Sequence, residues 1–204
     1  MSSFEISEDE HGIGNVLILK GDWGDDVASY MWSNNIYALR LTDSFGFKGQ
    51  DLSFLSRLAF LRSLEIYCWD ARGVSVVESL PNLEVIGLQY KSSESINFSG
   101  FGVLKVAKAT WAKGLSSLLD VRSLELLNVQ NYPHENLQPI SDMTRLKRLL
   151  LTSRKLKSLS GIESLQALEQ LDLYSCPFLE SLIGVESCPK LSSIKTEACK
   201  RVCA

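Results

Sequence analysis

The fold is decided by the hexapeptide Leu168-Glu-Gln-Leu-Asp-Leu173 and by copies of its apolar-x-x-apolar-x-apolar pattern elsewhere in the chain. The other copies begin at Ile36, Leu61, Leu83, Leu104, Leu124, Leu146 and Leu191. Consecutive copies therefore start 20 to 25 residues apart. A strand-like pattern that recurs at this period is typical of stacked repeats rather than of one closed core.

Each copy predicts a strand with one buried face and one free face. Leu171 and Leu173 lie two positions apart and point to one side of an extended segment, whereas residues 170, 172 and 174 point to the other. A second apolar set follows each strand, and its spacing of three predicts a short helical or 3₁₀ segment. One such set is Leu156, Leu159, Ile162 and Leu165. Gly161 is expected to help the chain turn within it.

These copies resemble the leucine-rich repeat family, in particular its short intracellular and bacterial repeats of about 22 residues. The resemblance covers residues 36–204, about eight repeats. It implies an α/β solenoid, a horseshoe or arc with a parallel concave β-sheet and short helical or 3₁₀ convex segments. The family's asparagine at the ninth position is absent here, but Cys176 and Cys199 are accepted alternatives there, for which the resemblance implies a buried structural role.

Residues 1–35 do not fit the repeat and are expected to cap its first strand. Residues 4–6 and 16–19 read as two short strands, and the polar, glycine-containing stretch between them favours a β-hairpin turn. The side chains expected to cover the end of the core are Trp23, Tyr30, Met31 and Trp32. At the other end, either the last turn of the chain or another subunit covers the final repeat, and we expect the first.

Several function classes are disfavoured by the sequence. No stretch approaches the roughly 20 apolar residues of a membrane span, and the first residues lack the pattern of a secretory signal. The five cysteines are an odd, scattered set that favours free thiols over a disulfide framework. A cytoplasmic protein without a membrane role is therefore expected. With a net charge of −3 and no basic stripe, nucleic acid binding is not expected.

The sequence shows no established catalytic or cofactor-binding motif. His11 lies in the proposed hairpin turn and His134 in a loop-like segment, so neither is placed as a general base, and no phosphate loop or zinc-protease motif occurs. Cys199 and Cys203 are half of a metal site at most, since a structural zinc site needs four ligands. The chain is therefore expected to be neither an enzyme nor a cofactor or metal protein.

The candidate site is the free face, which displays the residues two, four, six and seven places after the start of each copy. Its aliphatic and aromatic side chains between charged ones have the composition of a protein interface. The predicted partner-binding residues are Tyr67, Trp69, Val85, Tyr90, Val106, Lys108, Trp111, Leu126, Asn128, Arg148, Leu150, Asp172 and Tyr174. In the alternative interpretation, the strand register is shifted, so that the valines lie in the core and Trp111 or Tyr132 folds over the edge of a repeat.

The sequence predicts a non-catalytic module that binds a protein partner through its concave face. The resemblance makes the most specific form a bacterial immunity or inhibitor protein that sequesters a toxin or effector. Residues 1–50 hold eight acidic against three basic residues, which is either plain solvation or a docking patch for a basic partner. The alternatives are a regulatory adaptor of a phosphatase or GTPase and a structural self-assembling repeat protein. Alone, the chain is expected to be monomeric.

Overall fold

The computed structural model describes residues 3–49, 51–91 and 93–202. The chain divides into two compact units. Unit 1 contains the described residues up to Leu104 together with Ala112–Leu115, and unit 2 contains Lys105–Trp111 and the described residues from Ser116 onward. Each unit has its own core and its own set of strands.

The described residues form ten strands of five residues each. Those of unit 1 are β1 (Phe4–Glu8), β2 (Asn15–Leu19), β3 (Ala38–Thr42), β4 (Ser63–Tyr67) and β5 (Val85–Gln89). Those of unit 2 are β6 (Val106–Thr110), β7 (Leu126–Gln130), β8 (Arg148–Thr152), β9 (Gln170–Tyr174) and β10 (Ser193–Glu197). From β3 onward, each strand begins two residues after the first residue of a sequence copy, so the predicted register is confirmed in every repeat.

The repeat strands pair in parallel and in chain order within each unit. In unit 1, β2 pairs with β3, β3 with β4 and β4 with β5. In unit 2, β6 pairs with β7, and the pairing continues through β10. This register stacks equivalent leucines, for example Leu149 on Leu171, so that each repeat covers the apolar side chains of its neighbour.

The second apolar set of each repeat closes the core opposite the strands. It lies in or beside short 3₁₀ segments, as predicted, and residues 156, 159, 162 and 165 are all buried. The segments are Asp43–Phe45, Ser53–Arg57, Val74–Ser79, Phe98–Gly100, Lys113–Asp120, Gln138–Ile140, Ile162–Ser164 and Val185–Ser187. No helix in the described part of the chain combines the length and apolar character that crossing a membrane requires.

The N-terminal segment contains the predicted hairpin, because β1 pairs with β2 in antiparallel register. It also contains an α-helix that the sequence reading missed, α1 (Asp25–Ser33). Two acidic residues in its first turn and the buried pair Val27 and Met31, four apart on one face, were the available signals. The neighbouring Trp23 stacks on Phe54 with ring centroids 4.3 Å apart.

Only some of the four side chains expected to cover the core do so. Met31 is buried, and Trp23 is half-buried against Phe54. Tyr30 packs against Phe4 with ring centroids 4.7 Å apart but stays exposed. Trp32 packs edge-on against Phe60 but is 67% exposed, so its expected place over the core is wrong. A helix presents only one stripe of side chains to the core, and Trp32 lies off that stripe.

Charged residues next to the strand starts support the register in unit 2. The position after the first residue of each copy holds Lys105, Glu125, Lys147 and Glu169 in successive repeats. Glu125 Oε2 lies 2.7 Å from Lys147 Nζ. The hydrogen bond from Lys147 lowers the pKa of the Glu125 carboxyl below its usual range. A slip by one repeat would place like charges side by side, so this alternation opposes mispairing.

All five residues of β10 are exposed. The side chain of Ile194, which points to the core face, is 44% exposed. Up to Val202, the turn after β10 leaves the core face of this strand uncovered, contrary to the expected self-capping. Residues 203 and 204 lie outside the described residues.

Gly161→Ala is expected to lower the free energy of unfolding by about 2 kcal/mol or more. Gly161 has φ +105°, and a Cβ there would lie 2.6 Å from the backbone N of Gln138 in the preceding repeat. Gly100→Ala is the control, because a Cβ there meets nothing within 4 Å and its φ is not in the left-handed region. Urea unfolding measures both variants, and equal effects would contradict this role of Gly161.

Leu149→Ala and Leu150→Ala test the assignment of the two strand faces. Leu149 is fully buried in the core, whereas the neighbouring Leu150 is half-buried on the free face. We expect Leu149→Ala to cost about 2 to 5 kcal/mol and Leu150→Ala about 1 kcal/mol or less. Urea unfolding of the two purified variants checks this, and a reversed order would show that the faces are exchanged.

Candidate functional site

The free face of unit 1 is closed at its start by the turn between β1 and β2. The carboxylate of Asp9, which is buried, accepts the backbone N–H groups of His11 and Ile13 at 2.8 and 3.1 Å and so fixes the turn. Its other oxygen lies 3.4 Å from Ser63 Oγ on the free face of β4. Ser63 and its register neighbours Ala38 and Val85 are consequently buried. This row is not available to a partner.

The next row of unit 1 is occupied by a self-contained polar cluster. The guanidinium of Arg40 pairs with Glu65, which is only 2% exposed. The Tyr67 hydroxyl donates to Glu65 Oε1 at 2.8 Å, and burial, followed by the Glu65 charge, raises the pKa of Tyr67 above its usual range. Gly87 leaves the space for this cluster, because a Cβ there would lie 2.6 Å from the Tyr67 hydroxyl. The cluster stabilises unit 1 and leaves its polar groups satisfied internally.

Arg40→Met is expected to lower the free energy of unfolding by about 3 kcal/mol, because it removes the guanidinium paired with a buried carboxylate. Arg57→Met is the matched control, since its partner Asp25 is highly exposed and the ion pair spans 3.0 Å. There we expect about 1 kcal/mol or less. Chemical unfolding at pH 7 compares them, and a loss in Arg40→Met no larger than in the control would contradict the assignment.

The residues that follow the strands explain where the predicted aromatic row fails. Tyr90 was predicted on the free face, but it is 3% exposed and its pKa is raised to about 12 by burial. Cys68, at the equivalent eighth place of its repeat, is also buried. Both follow the last residue of a strand, and in these two repeats the eighth side chain turns into the core. The predicted exposure of Tyr90 on the free face is therefore wrong.

The residue that turns inward depends on a left-handed backbone position. In three repeats of unit 2 the eighth place has positive φ, at Asn131, Ser175 and Ala198. There the ninth residue turns towards the core instead, and Tyr132 and Cys176 are buried. The Tyr132 hydroxyl donates to the Asn136 carbonyl at 3.0 Å. Tyr132 is thus a core residue and does not extend an exposed aromatic row.

The inward place is filled by Ser153, the eighth residue of its repeat, and by Cys176, the ninth residue of the next repeat. The hydroxyl of Ser153 donates to the Tyr132 carbonyl at 2.8 Å and accepts the N–H groups of Lys155 and Leu156 at 3.0 Å. Cys176 is buried, as the resemblance implied, and burial raises its thiol pKa to about 11. Cys199 is half-buried. Cys68, Cys176, Cys188 and Cys199 all carry free thiols.

The free face of unit 2 is open, in contrast to that of unit 1. Among the predicted partner-binding residues, Arg148 is exposed. The half-buried ones are Val106, Lys108, Trp111, Asn128, Leu150 and Tyr174. The strand register forms two rows on this face. Val106, Leu126 and Arg148 lie in one row, and Lys108, Asn128 and Leu150 lie in the other.

Two predicted residues of this face are more buried than expected. Leu126 is 8% exposed, because its register neighbours Val106 and Arg148 flank it on both sides. Asp172 is 6% exposed beneath the Gln170 and Tyr174 side chains. The exposure predicted for Leu126 and Asp172 is therefore wrong, as it is for Val85 and Tyr90 in unit 1. Neighbouring side chains or the hairpin turn cover Val85, Leu126 and Asp172, whereas Tyr90 turns into the core.

A line of hydrogen bonds fixes the polar part of this face. Arg148 Nε donates to Gln170 Oε1 at 3.0 Å, and Gln170 Nε2 donates to Asp172 Oδ2 at 2.8 Å. The Tyr174 hydroxyl lies 3.4 Å from the same carboxylate oxygen. Lys195 Nζ lies 5.1 Å from the Tyr174 ring centroid. These side chains are held in defined positions before any partner arrives.

Trp111 follows β6 at the edge of this face. Its backbone N–H donates to the Gln130 carbonyl at 2.8 Å. Its ring lies 6.2 Å from that of His134, which in turn lies 5.3 Å from the buried Tyr132. His134 therefore packs among aromatic rings. Trp111 is half-buried beside this pair of rings.

The two remaining predicted residues lie in unit 1, away from an open strand face. Tyr67 belongs to the Arg40–Glu65 cluster. Trp69 is 40% exposed after β4, with Lys91 Nζ 5.5 Å from its ring centroid. Because Tyr90 is buried between the repeats of Tyr67 and Trp111, the predicted exposed aromatic ladder does not form. Within the described residues, no group of three or more His, Cys, Asp or Glu side chains is placed to hold a metal ion.

Comparison with solved structures reveals similar folds. Internalin C2 from Listeria monocytogenes strain 4b F2365 is 19% identical, with a TM-score of 0.60 over 89% of this chain and 80% of internalin C2. Internalin InlF from the same strain is 15% identical, with a TM-score of 0.51 over 78% of this chain and 54% of that one. The functional domain of InlJ from Listeria monocytogenes is 14% identical, with a TM-score of 0.50 over 81% of this chain and 39% of InlJ.

No protein-family model matches the sequence, and no curated protein matches it. The structural likenesses, together with the parallel strands and 3₁₀ segments, show the leucine-rich repeat fold. The resemblance stated from the hexapeptide copies and the predicted solenoid class are thereby confirmed.

Proposed function

Because the chain has the leucine-rich repeat fold, we propose that it is a protein-binding module whose contact surface is the free face of unit 2. The observation that carries this proposal is the difference between the two units. In unit 1 the hairpin turn and the Arg40–Glu65 pair occupy the free face. In unit 2 the equivalent rows are open, and they combine aliphatic, aromatic and charged side chains.

The composition of this surface suits a protein partner. Val106, Leu150 and Trp111 supply partly accessible apolar area beside Arg148 and Tyr174. Tryptophan, tyrosine and arginine carry a large share of the affinity at protein interfaces, within a polar surround. The hydrogen bonds from Arg148 to Gln170 and on to Asp172 already order this surround. Less side-chain entropy is then lost when a partner binds.

Binding without catalysis is part of the proposal. It is supported by the placement of the histidines, which are the usual general bases. His11 lies in the turn over unit 1. His134 packs edge-on against the rings of Trp111 and Tyr132.

The more specific proposal is an immunity or inhibitor protein of the cytoplasm that sequesters a toxin or effector. Free thiols at four cysteines agree with a reducing compartment. The acidic composition of the first 50 residues is weak support for a basic partner, because part of this negative charge is paired within the chain. Glu5 pairs with Lys20, and Asp25 pairs with Arg57. A regulatory adaptor stays the alternative, and the partner's identity distinguishes the two.

The test is affinity capture from an extract of the source cells, read by quantitative mass spectrometry. We compare the wild type with the double variant Trp111→Ala and Leu150→Ala and with the control Trp32→Ala. Trp32 is an exposed tryptophan on α1 of unit 1. We expect at least a tenfold loss of the captured partner in the double variant, because it removes two partly accessible apolar side chains of the surface.

Circular dichroism and thermal unfolding establish that each variant is folded before capture. A folded double variant that retains the partner as well as Trp32→Ala would contradict the proposed surface. A partner identified as a toxin encoded beside this chain would support the immunity form, and a phosphatase or GTPase the adaptor form.

A further inference from the structure

We infer that the segment bound by the free face of unit 2 is acidic and carries an apolar anchor next to its carboxylate. This inference rests on the proposed function and specifies the chemistry of its partner. It follows from the charges that remain accessible on the face after its internal contacts are made.

The buried carboxylate of this face cannot be contacted directly by a partner. Asp172 is covered, and its Oδ2 is engaged by the Gln170 amide and the Tyr174 hydroxyl. The charged residues of β6 to β9 on this face are Lys108, Arg148 and Asp172. Arg148 is the exposed one of the three, so the charge that a partner contacts most directly on these strands is positive.

Arg148 is the cation best placed to bind a carboxylate. Its Nε donates to the neutral Gln170 side chain, which fixes the plane of the guanidinium. No carboxylate among the described residues lies within ion-pair distance of it. The terminal nitrogens are thus held in a defined orientation on an exposed side chain, and the planar guanidinium matches the two oxygens of a carboxylate.

A second cation extends the positive surface towards β10. Lys195 is 58% exposed and lies over the Tyr174 ring. Glu197 Oε2 is 3.7 Å from its Nζ, so Lys195 is partly compensated, unlike Arg148. A peptide carboxylate at Arg148 therefore gains attraction from Lys195 that decreases with added salt.

The apolar anchor follows from what lies beside Arg148. Leu126 is its register neighbour on β7, and Val106 is the neighbour of Leu126 on β6. Adjacent strands are about 4.8 Å apart, so this apolar surface lies about 5 to 10 Å from Arg148 across the strands. In an extended peptide, side chains on one side recur about 7 Å apart. A carboxylate at Arg148 thus places an apolar side chain two positions away on the side of Val106, whose half-buried side chain is the accessible apolar part of this row.

The experiment pans the immobilised full-length chain against a displayed library of random linear 12-residue peptides. The face variant Trp111→Ala with Leu150→Ala is panned in parallel. We expect peptides that require the intact face to contain Asp or Glu two positions from a large apolar residue and to be negatively charged overall. Synthetic peptides from the selection are then measured by fluorescence anisotropy at low and high salt.

Charge reversal provides the decisive comparison. Arg148→Glu is expected to weaken binding of the selected peptide at least tenfold, and added salt is expected to weaken wild-type binding. Lys190→Glu is the control, because Lys190 is an exposed cation that lies outside the strands and should leave the affinity unchanged. Equal affinity of Arg148→Glu and the wild type would overturn the inference.

The other outcomes separate the inference from the proposed function. Face-dependent peptides that are basic or uncharged would overturn the acidic partner but leave the protein-binding face standing. Peptides that bind the face variant as well as the wild type would overturn both. Selection that enriches no peptide would also count against an acidic linear segment.

Discussion

No single repeat of this chain can bury its own apolar side chains, and the rest of the structure depends on that constraint. The inner leucines of one strand are covered by those of the next, as Leu149 is by Leu171. Burial of each such side chain contributes on the order of 2 kcal/mol. The same stacking aligns equivalent positions of successive strands on the opposite face. It creates rows of side chains there whose identity is not fixed by packing in the core.

What happens to those rows differs between the two units. In unit 1, the N-terminal hairpin brings Asp9 against Ser63, and Arg40 and Glu65 neutralise each other in a buried pair. In unit 2, the rows are left accessible and are organised by hydrogen bonds among Arg148, Gln170 and Asp172. The same repeat thus provides a sealed surface in one part of the chain and an ordered, open surface in the other.

The strand register could be predicted from the sequence because it depends on a local period. Leucines at fixed spacing specify which residues face inward, and every repeat strand starts where that spacing predicts. The exposure of the side chains on the candidate face was predicted less well from the sequence than the strand register was. The closing of unit 1 depends on the contact of Asp9 with a residue 54 positions away, which no local pattern reveals.

The loops after the strands show a second limit to prediction from the sequence. Tyr90 and Tyr132 occupy the eighth and ninth places of their repeats, yet both are buried. Which place turns inward follows the backbone conformation, such as the positive φ of Asn131. Asparagine tolerates that conformation well, but serine and alanine also adopt it here, at Ser175 and Ala198. Residue type alone therefore did not identify these positions.

Hydroxyl-radical footprinting of the chain, with and without its captured partner, tests the binding face most directly, because it reports the accessibility of individual side chains. We expect the partner to protect Trp111, Leu150 and Tyr174 from oxidation, while Trp32 and Trp69 in unit 1 are oxidised as in the free chain. Protection of Trp32 or Trp69, with Trp111 and Leu150 unchanged, would contradict it and move the contact to unit 1.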